Sequence, residues 1–315
     1  MQQTNIDQAY MRRCLQLAAC GRNLSRPNPM VGAVIVAHGR IIGEGYHVQC
    51  GQSHAEVNAF ASVQPQDEPL LKEATLYVSL EPCSHYGKTP PCADLIIRKG
   101  VKRVVVGCID PFHKVQGNGI DKLRKAGIQV TCGVLEQECQ WLNRRFFTFH
   151  QLQRPYIILK YAQTQDGFLD DHGQPINIST PLTRMLLHRL RATEDAILVG
   201  NITEQREHPQ LNVRHWAGPA PQKFVLSHQH PIPEILQTCY QQQLQSLIVE
   251  GGLQTLQSFI KLNLWDEIRV ETAPLKVGQG TQTPQLPNNR QIISTQTYGQ
   301  NTITRYRKTE ENITT

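Results

Sequence analysis

The sequence predicts a protein of two consecutive α/β domains. A chain of 315 residues is long enough for two domains of ordinary size, each with its own core. In both halves, short apolar runs typical of buried strands alternate with segments of helical periodicity, which indicates helices packed on largely parallel sheets. A short polar joint at residues 151–155 separates the halves, so the expected domains are 1–150 and 151–315.

The first half is predicted to alternate helices and strands after an initial hairpin. One helix is expected to open at His54, and one long helix, residues 136–150, is expected to close the domain. The other predicted elements are a helix at 7–19, hairpin strands at 31–36 and 40–45, strands at 75–80, 101–108 and 128–133, and helices at 93–99 and 119–126.

The second half is predicted to follow the same alternation. Thr180 followed by Pro181 is typical of a helix N-terminus, and this helix is expected to end at residue 191. The other predicted elements are strands at 156–161, 196–200 and 246–249, a turn at 166–167, and a helix that ends at 261.

The strand at 246–249 leads through Glu250 into a glycine pair, Gly251-Gly252, and then into a helix. This succession can cradle a phosphate or pyrophosphate at the helix N-terminus. A glycine pair also occurs where a strand simply ends, and the G-x-G-x-x-G fingerprint of dinucleotide-binding folds is absent. A nicotinamide cofactor would therefore need another arrangement.

Composition and charge narrow the function classes. The net charge of +6 comes without a long basic run, which suits a phosphorylated small substrate better than nucleic acid. No apolar run is long enough to span a bilayer, and the first residues lack the layout of a signal peptide. Nine cysteines, an odd number, suggest metal ligands or core packing in a reducing compartment. We therefore expect a cytoplasmic protein.

Three side chains in the first half form a candidate metal site. His54, Cys83 and Cys92 supply one imidazole and two thiols, which suit a tetrahedral zinc ion with its fourth position open to water. Cysteines are frequent core residues and a nearby histidine is often structural. Against that, Glu56 follows His54 at the spacing of the zinc-deaminase signature, H-x-E followed by P-C-x-x-C. Such a carboxylate can carry a proton from water to a leaving amine.

One feature departs from that signature, because eight residues, not two, separate the cysteines. Together with P-N-P at 27–29, G-x-G-x-H at 43–47, H-A-E-V at 54–57 and E-P-C-S-H-x-G-K-T-P-P-C at 81–92, this spacing resembles the bifunctional deaminase/reductase family of riboflavin biosynthesis. The resemblance implies a cytidine-deaminase-like three-layer sandwich that hydrolytically deaminates a 2,5-diamino-6-(5-phosphoribosylamino)pyrimidinone. It implies one Zn²⁺ per chain on His54, Cys83 and Cys92, with Glu56 shuttling protons. It also implies a substrate pocket lined by Asn28, His47, Ser84, His85 and Lys88.

Short motifs in the second half are similar to the reductase domain of the same family, which implies a dihydrofolate-reductase-like α/β fold. The implied reaction is hydride transfer from NADPH to C1 of the ribose. Lys160 and Glu250 match the inner catalytic positions, and the implied substrate contacts are Arg191, Leu211, Arg214 and Glu250. The implied cofactor contacts are Ala162, Asn177, Thr203, Glu207, Ser227, Gly252, Leu253 and Gln254.

Several positions depart from the family pattern. Phe112 stands where Asn is common, and Asn118 where a basic residue is usual between two glycines. In the second half, Asn177 replaces a usual Trp, Glu207 a usual Asp, and the region between 214 and 246 is short. These departures leave open a deaminase whose second domain serves only binding or dimerisation. A nucleic-acid base deaminase is a further alternative, disfavoured by the lack of a basic stripe. We also expect a homodimer or higher homo-oligomer.

Overall fold

A computed structural model describes residues 2–86, 90–111 and 117–309 of the chain. The chain divides into two compact units, residues 1–152 and 153–315. Across the described ranges, each helix is too short or too polar to cross a membrane.

The first unit is built on a five-stranded sheet of order β2-β1-β3-β4-β5. Strands β3, β4 and β5 run parallel, whereas β1 is antiparallel to both β2 and β3. Its elements in chain order are α1 (Gln2–Cys20), β1 (Gly32–Ala37), β2 (Arg40–Tyr46), α2 (Ala55–Ala61), a 3-10 helix (Pro65–Glu73), β3 (Thr75–Leu80), α3 (Cys92–Lys99), β4 (Arg103–Cys108), α4 (Asn118–Lys125), β5 (Gln129–Cys132), α5 (Glu136–Leu142) and α6 (Arg144–Leu152).

Helices cover both faces of this sheet. On one face, side chains of α2, α3 and α4 such as Phe60, Ile96 and Leu123 pack against alternate residues of the strands. On the other face, Met11 and Cys14 of α1 lie against the opposite set of strand residues. Because both faces are buried, the central strands β1, β3 and β4 are largely apolar runs without alternation. The predicted three-layer arrangement is confirmed.

The structure corrects four details of the first unit. The helix expected at 136–150 is two helices that meet at Asn143, whose amide bonds both the backbone N–H and the C=O of Met30 at 2.8 Å. The 3-10 helix was not predicted, and α1 begins at Gln2 instead of residue 7. The sheet is also less parallel than expected, because β1 pairs antiparallel with β3.

The second unit contains a seven-stranded sheet of order β11-β12-β10-β6-β9-β7-β8. The five strands from β10 to β8 are parallel, and β11 and β12 form an antiparallel extension. Its elements are β6 (Tyr156–Gln163), α7 (Pro181–Thr193), β7 (Ala196–Gly200), α8 (Asn201–Glu207), β8 (Gln222–Leu226), α9 (Ile232–Gln241), β9 (Ser246–Val249), α10 (Leu253–Lys261), β10 (Glu267–Thr272), β11 (Arg290–Tyr298) and β12 (Asn301–Lys308).

The two faces of the second sheet differ in chemistry. One face packs a large apolar core that includes Phe259 and Trp265. The other carries a smaller apolar cluster around Ile197 and Ile248, and continues into charged residues. Helix α7 begins as predicted, with the Thr180 side chain accepting the N–H of Thr183. Charged groups on this second face, next to α7, make it the candidate site of the unit.

Candidate active sites

The structure brings the three candidate metal ligands together. His54 immediately precedes α2, Cys83 follows β3, and Cys92 is the first residue of α3. Nδ1 of His54 lies 3.6 Å from Sγ of Cys83 and 3.3 Å from Sγ of Cys92. One ligand atom from each residue falls within 4.8 Å of the others. This donor set of one nitrogen and two sulfurs is one that zinc prefers.

The two thiols differ in acidity because they share a proton. A hydrogen bond from the neighbouring Cys92 thiol lowers the pKa of Cys83 to about 4. Burial opposes this shift, and His54 adds to it. The backbone N–H of Cys92 also donates to Sγ of Cys83 at 3.3 Å. The contact with Cys83 raises the pKa of Cys92 correspondingly. A thiolate is therefore available at Cys83 near neutral pH, and the thiolate is the metal-binding form.

Glu56 lies in the first turn of α2, two residues after His54, and is 3% exposed. Burial and the Cys83 thiolate raise the pKa of this carboxyl to about 7. A side-chain contact with Cys92 shows that Glu56 faces the sulfur ligands. A carboxyl with this pKa can both accept and release a proton near neutral pH.

A second histidine, His47, lies beside His54. Their rings meet edge to face with centroids 5.6 Å apart. Burial, together with the nearby His54, lowers the pKa of His47, so the ring is neutral. Nδ1 contacts the carbonyl oxygen of Ser53 at 3.0 Å, which assigns the proton to Nδ1. Nε2 then accepts from the Asn28 amide at 3.1 Å, so two predicted pocket residues are paired.

The remaining predicted residues of the first site that the structure describes are less enclosed. Ser84 is half-buried, and His85, two residues after Cys83, is exposed. Lys88 and Phe112 lie outside the described residues. Asn118 is the first residue of α4.

In the second unit, three predicted residues form one charged group. Glu250 accepts two hydrogen bonds from Arg191 of α7, at 3.0 and 2.8 Å. Lys160 follows Leu159 on β6, which pairs with Val249 on β9, so Lys160 and Glu250 are neighbours across the sheet. Burial would raise the pKa of Glu250, but Lys160 and Arg191 outweigh it and hold the pKa low. Burial lowers the pKa of Lys160, and Glu250 partly offsets this effect.

The loop that carries Leu211 and Arg214 is fastened to α7. Nδ1 of His188 accepts the backbone N–H of Arg214 at 3.1 Å. Burial and, to a lesser extent, the positive charge of Arg191 lower the pKa of His188 to about 4. The ring therefore stays neutral and can accept that hydrogen bond. Leu211 is buried with a positive φ of 48°, whereas Arg214 is exposed. Sequence reasoning missed His188, because a histidine on a helix carries no signal of a contact 26 residues away.

Of the predicted cofactor positions, the structure places Thr203 next to Gly252. A Cβ built on Gly252 would lie 3.8 Å from the Thr203 hydroxyl oxygen. Gly252 precedes α10, whose first residues are Leu253 and Gln254. The remaining predicted cofactor positions lie on other segments of the unit. Ala162 lies on β6, Asn177 accepts from Arg184 at 2.6 Å, Glu207 ends α8, and Ser227 closes a turn with His230.

Another missed residue is Arg269. It pairs in register with Lys160 on the adjacent strand, so both side chains lie on the charged face. Arg269 is 8% exposed. Of its carboxylate neighbours, Glu267 accepts a hydrogen bond from Arg305, and Glu271 accepts one from Ser179. Burial lowers the pKa of Arg269. No strand was predicted at residues 267–272, so nothing in the sequence placed Arg269 beside Lys160.

Two family models match the two units of the chain. The family model "cytidine and deoxycytidylate deaminase zinc-binding region" matches residues 4–108, and that of the RibD C-terminal domain matches 155–234 and 231–304. The riboflavin biosynthesis protein RibD of Aquifex aeolicus is 38% identical, over 87% of this chain and 89% of its own length. The chain belongs to the RibD family. The RibD of Synechocystis is 40% identical, over 86% of this chain and 74% of its own length.

Solved structures of the family share the fold. A diaminohydroxyphosphoribosylaminopyrimidine deaminase/5-amino-6-(5-phosphoribosylamino)uracil reductase of Thermotoga maritima superposes with a TM-score of 0.87 at 33% identity. The match covers 97% of this chain and 99% of that one. Acinetobacter baumannii RibD gives 0.85 at 29% identity, over 98% and 100%.

RibD membership confirms the predicted fold class and the two kinds of chemistry. A deaminase domain of a zinc-binding family is followed by a reductase domain, so the chain is a bifunctional enzyme of riboflavin biosynthesis. Because the reductase model matches almost the whole second unit, the bifunctional interpretation is favoured over a deaminase with a second domain that only binds. The nucleic-acid deaminase is likewise disfavoured.

Proposed function

We propose that the first unit hydrolyses the 2-amino group of 2,5-diamino-6-(5-phosphoribosylamino)pyrimidin-4(3H)-one, and that the second reduces the ribosyl chain of the product with NADPH. The proposed deamination is supported by the cluster of His54, Cys83 and Cys92, with the buried Glu56 beside it. The Thermotoga maritima relative bears the name of both activities.

The donor atoms fit zinc, with His54, Cys83 and Cys92 as its ligands and a fourth position left for solvent. When bound there, zinc makes water nucleophilic near neutral pH. Glu56 takes a proton from the attacking water and passes it to the departing nitrogen, which leaves as ammonia. The hydroxyl left on C2 becomes a carbonyl as its proton moves to the adjacent ring nitrogen. The Asn28 side chain donates its NH₂ group to neutral His47. The amide oxygen of Asn28 can then accept a hydrogen bond from the pyrimidine. Ser84, His85 and Lys88 complete the proposed substrate pocket.

In the second unit, we propose that Lys160 and Glu250 contact the ribose. Lys160, with its lowered pKa, can give a proton to the ring oxygen as the sugar opens. Arg191 fixes the Glu250 carboxylate through two hydrogen bonds. Arg214, exposed at the end of a fastened loop, suits the 5-phosphate, and Leu211 lies at the base of the same loop.

NADPH is the proposed reductant, and its contribution when bound is a hydride. The cradle that suits its phosphates is the turn from Gly252 to Gln254 at the start of α10, beside Thr203. At Gly251, any side chain would collide with Thr255, since an added Cβ would lie 2.7 Å from the Thr255 Cβ. Ala162, Asn177, Glu207 and Ser227 are the remaining proposed cofactor contacts, with Asn177 and Glu207 the least typical of the family.

We further propose a cytoplasmic homodimer or higher homo-oligomer. The nine cysteines are all free, as expected in a reducing compartment. Strand β11 is the edge of the seven-stranded sheet and exposes Ile292, so its backbone groups can pair with a second copy. Sedimentation of the purified protein tests the assembly, and a monomer at micromolar concentration would contradict it.

The experiment that tests the function assays both half-reactions on one purified protein. The diaminopyrimidinone should release ammonia without NADPH, and the deaminated product should then oxidise NADPH stoichiometrically. If ammonia is released but no NADPH is oxidised at saturating cofactor, the reductase assignment is wrong. If neither reaction occurs with zinc-loaded protein, the substrate assignment is wrong.

A further inference from the structure

The carboxylate of Glu81 makes an unusual set of contacts. Glu81 lies two residues before Cys83, one of the three candidate metal ligands. Glu81 is 4% exposed and follows β3 directly. Oε2 accepts the backbone N–H groups of Asp110 and Gly117, at 3.3 and 2.9 Å. Oε1 accepts those of Gly119 and Ile120, at 2.9 and 3.3 Å. One side chain therefore binds four backbone donors of a different part of the chain.

Three of these donors belong to the N-terminus of α4. Gly117 is the capping residue of this helix, and Gly119 and Ile120 lie in its first turn, where N–H groups have no partner within the helix. Gly117 supplies no side-chain cap. Glu81 thus caps α4 from another element, and its negative charge lies at the positive end of the helix dipole.

A second contact fixes the same two segments against each other. A Cβ built on Gly119 would lie 2.0 Å from the carbonyl oxygen of Pro82, so only glycine permits this approach. The backbone N–H of Glu81 also donates to the carbonyl of Cys108 on β4, at 3.0 Å. The backbone that enters Cys83 is therefore held on one side by the sheet and on the other by α4.

We infer that Glu81 is a positioning residue for the metal centre. By binding the first turn of α4, it fixes the path of Pro82, and so the place of the Cys83 sulfur relative to His54 and Cys92. This inference rests on the proposed zinc role of those three residues. Groups that orient metal ligands typically contribute ten- to a hundredfold in metal affinity. Among the described residues, the hydrogen-bond partners of the Glu81 carboxylate are backbone N–H groups and not the three candidate ligand atoms.

The test is the rate of zinc release from full-length protein into a chromogenic chelator. Glu81→Gln keeps the shape but turns an NH₂ group towards two of the four N–H donors. We expect zinc release to be about ten- to a hundredfold faster, with NADPH oxidation by the second unit unchanged. Gly119→Ala should accelerate release in a similar way without changing any charge, because its methyl group displaces Pro82. Asp67→Asn is the matched control, since the buried carboxylate of Asp67 binds Arg40, away from the metal ligands.

The cobalt-substituted protein supplies a readout that general loss of stability would not change. In Glu81→Gln, the sulfur-to-cobalt charge-transfer band should weaken or shift while the circular dichroism spectrum stays that of the folded protein. If both Glu81→Gln and Gly119→Ala release zinc at the wild-type rate, the inference is overturned. If Glu81→Gln does not fold, Gly119→Ala and Glu81→Asp decide by the same measurement. A wild-type protein that binds no zinc would instead overturn the proposed function.

Discussion

Replacing Glu250 with glutamine should destabilise the second unit strongly. The side chains of Glu250 and Arg191 are only 12% and 9% exposed, and they are joined by two charged hydrogen bonds. The substitution leaves the buried Arg191 and the half-buried Lys160 without that carboxylate. Removing one partner of such a pair typically costs about 3–5 kcal/mol. For a unit of this size, each kcal/mol lowers the melting temperature by about 2–4 °C, so the expected loss is about 6–20 °C.

Differential scanning calorimetry of the full chain is the assay, with zinc release reporting separately on the first unit. Only the transition of the second unit should move. Glu250→Met combined with Arg191→Met should recover much of the loss, because no lone charge of this pair then stays buried. A Glu250→Gln protein that melts at the wild-type temperature would refute the argument that Glu250 compensates both cations.

Three further predictions concern other buried charges. Glu56→Gln should retain zinc and lower the deamination rate about 10²–10⁴-fold with reduction spared, measured as ammonia release; deamination at the normal rate would remove Glu56 from the mechanism. Asp7, buried, has its pKa lowered because hydrogen bonds from Arg103 and others outweigh burial. Its stabilisation should thus be complete above about pH 4 and decline as pH falls towards the folded-state pKa. The difference in urea midpoint between wild type and Asp7→Asn should shrink from pH 5 to pH 3, and a constant difference would contradict this. Arg269→Met should lower the unfolding free energy by up to about 3–5 kcal/mol, because the buried carboxylates of Glu267 and Glu271 lose a nearby cation. It should also raise the pKa of Lys160 by removing a like charge. An unchanged or higher urea midpoint would contradict this.

The elements that could be predicted exactly are buried strands with abrupt ends. Strands at 75–80, 196–200 and 246–249 have the bounds expected from the sequence. Their apolar runs are bounded by polar or glycine residues, so local pattern and tertiary burial agree. The start of α7 was predictable for a similar reason, because a capping threonine and a first-turn proline act locally.

Features set by distant contacts could not be predicted. The end of α5 at Asn143 depends on a bond to Met30, 113 residues away, and no local signal marks it. Strands β11 and β12 are mostly polar and partly exposed, so they lack an apolar pattern, and Gly299 in the turn between them is an isolated signal. The antiparallel pairing of β1 with β3 likewise depends on the order of the strands in the sheet, which no local pattern specifies.

The candidate sites divide along the same line. The candidate metal ligands and Glu56 carry a signature, because zinc restricts which residue types can bind it and in what order. Residues that act through backbone atoms carry none. Glu81 stands inside the motif at 81–92, yet its four partners lie 29 to 39 residues further along the chain. His188 shows the same limit, since its bond to the Arg214 backbone leaves no trace in residue type.

X-ray absorption at the zinc edge, on the full-length protein, tests the central claim most directly. The account predicts about one zinc per chain, bound by two sulfurs at about 2.3 Å and by two nitrogen or oxygen ligands at about 2.0–2.1 Å. The second light ligand should change when a substrate analogue binds, and the sulfur shell should fall in Cys83→Ser. A third sulfur, a fourth protein ligand that excludes solvent, or full deaminase activity in metal-free protein would contradict it.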